Sequence, residues 1–65
     1  MTEADIEGKA LTVAASAINL MLTALMYGAI QRQHRLSAAD AAKVRERLAA
    51  LRDELRARAV GATRI

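Results

Sequence analysis

From Ala10 to Ile30 the chain reads ALTVAASAINLMLTALMYGAI, without one charged side chain. About 20 such residues in a helix cover roughly 30 Å of hydrocarbon, so the run predicts a helix that crosses a membrane or is buried among other helices. At 100° per residue Thr12, Ser16, Asn19, Thr23 and Tyr27 share one sector, and the remaining positions are apolar or small. A helix facing bulk water would carry Lys, Glu or Arg there; a stripe of neutral polar groups predicts contact with another helix. Thr12, Ser16 and Thr23 can satisfy their hydroxyls on their own i−4 carbonyls. Asn19 cannot, and facing lipid it would cost on the order of 2 kcal/mol, so it is expected to have a partner.

A second sector collects Ala10, Ala14, Ala17, Met21, Ala24 and Gly28, where small side chains let another backbone approach closely. Ala14, Ala17, Asn19, Met21, Ala24 and Gly28 are therefore the expected helix–helix contact of the apolar segment.

The pattern changes after Leu36. Ser37 to Asp40, SAAD, reads as a capping box that opens a second helix. Beyond it Ala41, Val44, Leu48, Leu51, Leu55 and Ala59 recur at the a/d spacing of a coiled coil, with Arg58 interrupting the far end. Val44, Leu48, Leu51 and Leu55 form the expected oligomer or partner seam. Glu54 and Arg58 add a favourable i,i+4 pair, and Gly61 predicts a stop. The connector QRQHRL holds neither glycine nor proline, but the Ser37 cap argues for a break near residues 35–37.

The expected fold is all-α, with an apolar helix over about 5–35 and a charged amphipathic helix over about 38–60. Its segments are an acidic lead-in at 1–9, the apolar run at 10–30, a basic connector at 31–37, the coiled-coil-like helix at 38–60 and a frayed tail at 61–65. Composition agrees: proline and phenylalanine are absent, and the single aromatic residue is Tyr27. A chain of 65 residues without cysteine has neither a large core nor a disulfide, so oligomerisation or a partner is expected to complete it.

Charge adds direction to the apolar run. Glu3, Asp5 and Glu7 stand against Lys9 before it, whereas nine bases stand against four acids from Gln31 onward. Under the positive-inside rule a spanning helix would leave its N-terminus outside and its C-terminus cytoplasmic, with Tyr27, Arg32 and Arg35 at the lipid headgroups. The acidic start differs from the basic n-region of a signal peptide, so no removal of the segment is expected.

One histidine, His34, has no second group spaced to orient it, so no catalytic residue, metal site, cofactor or small-molecule substrate is expected. Basic residues without stacking aromatics or a recognition-helix pattern also argue against nucleic acid.

Two functions fit. The first is a small single-pass membrane protein, an accessory subunit of a membrane complex or an oligomer-former; the Ala/Ser/Thr-rich span followed by a basic tail resembles phage holins in layout. The second is a soluble cytoplasmic helical hairpin that dimerises into a four-helix bundle and binds a protein partner. Either way the expected partner is a second copy or another protein.

Overall fold

The computed structural model describes residues 1–63 and is all-α, with three helices in the order α1 (Glu3–Met26), α2 (Ala29–His34) and α3 (Ala38–Thr63). The long helices α1 and α3 pack side by side in a rod of 44 × 16 × 13 Å.

The first helix starts earlier than its apolar run. The Asp5 amide donates to the Thr2 hydroxyl at 3.1 Å and the Thr2 amide donates to the Asp5 carboxylate at 3.2 Å, a reciprocal capping box. Glu3 and Asp5 in the first turn also favour the positive end of the helix dipole. The acidic stretch expected as a lead-in is thus largely the opening of α1.

Glycine ends α1. Gly28 adopts a left-handed conformation at φ 81°, which a side chain would oppose, and its amide donates to the Leu25 carbonyl at 3.2 Å. The Gln31 side-chain amide donates to the same carbonyl, at 2.6 Å, tying α2 back onto the end of α1. The sequence reading placed one break near 35–37 and none here.

Arg35 then ends α2, also left-handed at φ 54°, and the Leu36 amide donates to the Gln31 carbonyl at 2.9 Å in the six-to-one bond of a Schellman ending. Half of the expected capping box follows: the Asp40 amide donates to the Ser37 hydroxyl at 3.1 Å, without the return bond from the Ser37 amide to the Asp40 carboxylate. At its other end α3 runs through Gly61 to Thr63. The stop expected at Gly61 therefore does not occur there; the last two residues of the expected tail, 64–65, lie outside the described residues.

One face of α1 carries the hairpin contact. Gly8, Leu11, Ala15 and Leu25 are buried, and Ala4, Ile18 and Leu22 between them are half-buried, a strict alternation of four- and three-residue steps. On α3 the matching series is Ala41, Val44, Leu48, Arg52, Leu55, Ala59 and Ala62. It leaves the heptad after Leu48 because a straight helix drifts against a 3.5-residue repeat. Among the described residues the buried apolar core is only Leu11, Ala15, Leu25, Ala41 and Ala59. Three of these are alanines, which bury little area, so the core is thin for a free-standing fold.

Candidate interaction site on the apolar helix

The polar stripe runs along one flank of the hairpin contact. Thr12 and Thr23 donate to the carbonyls of Gly8, at 2.8 Å, and Asn19, at 3.1 Å, the local bonds expected of them. Asn19 differs: its side-chain oxygen accepts from the Arg52 guanidinium at 3.0 Å, a tie between α1 and α3 across 33 residues of sequence. Arg52 also donates to Asp53 at 3.1 Å, and its side chain is 24% exposed. A long stem lying on apolar surface with its charged head bonded at the rim explains how an arginine occupies a packed position.

The residues expected to meet another helix divide among three surroundings. Asn19 is half-buried and bonded to α3; Ala14, Ala24 and Gly28 are half-buried; Ala17 and Met21 are exposed. On α3, Val44, Leu48 and Leu55 are half-buried on the face turned to α1, so the hairpin itself takes up this seam, while Leu51 remains 44% exposed. Tyr27, Arg32 and Arg35 are all exposed around the bend. Met21 and Met26 on α1 and Leu51 and Val60 on α3 are exposed, and a row of uncovered apolar side chains lies on the back of α1, where Ile6, Val13, Leu20 and Tyr27 are 49%, 68%, 68% and 74% exposed.

These four stand seven residues apart, and Ala10, Ala17 and Ala24 stand between them. The result is a second four-three series, Ile6, Ala10, Val13, Ala17, Leu20, Ala24 and Tyr27, about 160° around the helix from the face packed on α3. No family model, curated protein or solved structure matches this chain.

This series, exposed except at the half-buried Ala24, therefore has to be read from its own chemistry. It alternates large and small apolar side chains along a rigid helix and lacks a polar group set for catalysis, so it suits recognition by shape. Sequence reading divided it between sectors, since a helix apolar almost all round gives no direction by hydrophobicity. The seven-residue interval of Ile6, Val13, Leu20 and Tyr27 was the available signal.

By length and composition α1 could also cross a membrane: its 24 residues include a stretch of mean hydropathy 1.5. Central helices of soluble assemblies meet the same criterion. Open grooves between α1 and α3 are lined by Arg45 and Arg52 and, farther from the turn, by Arg56.

Proposed function

We propose that this chain is a non-enzymatic, soluble helical-hairpin module that works by binding protein through the back of α1. The observation that supports this most is the packing of α1 on α3 along its length, with Asn19 bonded to Arg52. Crossing a bilayer in this conformation would carry Arg45, Arg52 and Arg56 into hydrocarbon, at about 2.5–3.5 kcal/mol each on insertion scales. Spanning would require α1 to leave α3, exposing Leu11 and Leu25 and removing the partner of Asn19. The thin core supports the same reading, because burying the back of α1 against protein would add the apolar contact that the hairpin lacks.

The length and hydropathy of α1 favour a second reading, in which α1 detaches and crosses the membrane as a single-pass accessory or holin-like oligomer. Its N-terminus would then lie outside, with Tyr27, Arg32 and Arg35 at the cytoplasmic headgroups. Alkaline carbonate extraction of expressed protein separates the two. Recovery in the supernatant as a monodisperse species supports the soluble module; retention in the membrane pellet overturns it in favour of the span.

A further inference from the structure

We infer that the back of α1 is covered by the same face of a second copy, running antiparallel, so that two hairpins form a four-helix row with the two α1 helices at its centre and an α3 on each outer side. The inference rests on the soluble-module reading and specifies its partner.

Self-complementarity carries the argument. A two-fold axis level with Ala15 sets Ile6 of each copy against Ala24 of the other, Leu20 against Ala10, and Val13 against Ala17. Each of these layers joins one large and one small side chain, as close packing of two helices requires, and Tyr27 falls level with Glu3 at either end. A parallel pairing of the same series would put large on large and small on small, leaving gaps at the alanines and crowding between them.

Charge selects the same orientation. Glu3 and Asp5 flank the series at its start. At its other end the Arg32 guanidinium folds back over Gly28, with one nitrogen 3.1 Å from where a Cβ on that glycine would sit. The antiparallel register brings Arg32 of each copy level with the acidic first turn of the other, twice per dimer, whereas a parallel pair would set like charges together. Lys9 stands at the edge of the strip, where its stem can lie along the contact and its ammonium reach water.

The series is about 30 Å long and roughly 10 Å wide, an apolar strip on the order of 300 Å², comparable to the largest patch of an ordinary monomer, which is often functional. An α1-only contact of this size is modest, so a reversible dimer is expected.

The test is sedimentation equilibrium on the full chain, with far-UV circular dichroism to confirm that helicity is retained. A dimer is expected, with Val13→Glu and, separately, Leu20→Lys raising its dissociation constant by on the order of 100-fold through burial of an unpaired charge. Arg32→Glu should weaken association roughly tenfold and Glu3→Lys in the same chain should restore it. Glu3 opens α1 and Arg32 lies beyond its other end, in α2, so the two cannot meet within one chain and rescue reports the antiparallel partner.

A soluble monomer, or a dimer indifferent to both Val13→Glu and Leu20→Lys, would overturn the inference while leaving a soluble module that binds some other protein. Weakening by Arg32→Glu without rescue would overturn the antiparallel arrangement. Recovery only in the membrane pellet would overturn the underlying reading as well.

Discussion

The bond between Asn19 and Arg52 can be measured by a double-mutant cycle. Arg52→Met keeps most of the side chain's stem but removes its donors, leaving the half-buried Asn19 oxygen to scarce water. A hydrogen bond to a charged group is worth about 1.5–3 kcal/mol when buried, and partial exposure of both residues brings the expected loss to about 1–2 kcal/mol. Asn19→Leu gives up the same bond but adds apolar burial and leaves Arg52 near Asp53, so its cost should stay below about 1 kcal/mol. Replacing both partners with apolar groups leaves neither unsatisfied, and the double variant should lie close to the parent. The expected coupling is therefore about 1–3 kcal/mol, each kcal/mol amounting to about 4–8 °C in Tm for a chain of this size. Urea unfolding followed by circular dichroism, at one fixed protein concentration, measures it. Single effects that add to within about 0.5 kcal/mol would show that the two side chains are not joined in solution.

Three further substitutions probe the hairpin. Leu25→Ala removes a side chain only 4% exposed beside the turn and should cost about 2–4 kcal/mol, enough to show as a large loss of helicity on mild heating. Gly28→Ala should lower stability by about 1–2 kcal/mol in the same melt, because φ 81° opposes a side chain and the new methyl meets the Arg32 guanidinium. Gly61→Ala should raise stability by up to about 1 kcal/mol, since the position is helical and nothing lies within 4 Å of the added methyl; an unchanged or lower Tm would argue that α3 does not extend that far.

The all-α class, the two long helices and the break before Ser37 were legible because each has a local cause: an uncharged run, an a/d series, a hydroxyl three residues before an acid. Other features were local but masked by stronger patterns. Thr2 and Asp5 form the full reciprocal box of which Ser37 and Asp40 make only the hydroxyl half, yet they sit in an acidic stretch that reads as solvated. Gly28 falls within an apolar run where glycine also reads as a packing residue, and only the backbone shows that it turns the chain.

The face of α1 that meets α3 could not be read at all from hydrophobicity, because Leu11 and Leu20 are equally apolar on opposite sides. Leu51 and Arg52 illustrate the same limit on α3. A strict heptad assigns Leu51 to the seam, but helix drift and the reach of Arg52 to Asn19 turn the next residue inward. Position in the hairpin, rather than residue type, decided between them.

The nested arrangement of α1 and α3 also has a kinetic consequence. Leu25 and Ala41 share a groove wall beside the turn, sixteen residues apart in the chain, whereas Gly8 and Ala59 share one at the open end, fifty-one apart. Loop closure grows more costly with length, but each contact made near the turn shortens the loop left for the next. Assembly should therefore run outward from Gly28 and Arg35, as teeth close behind a zip slider, and thermal opening should begin at the other end. The capping box at Thr2 and Asp5 then guards the segment that comes apart first, and amide protection should decline along α1 from Leu25 back toward Gly8.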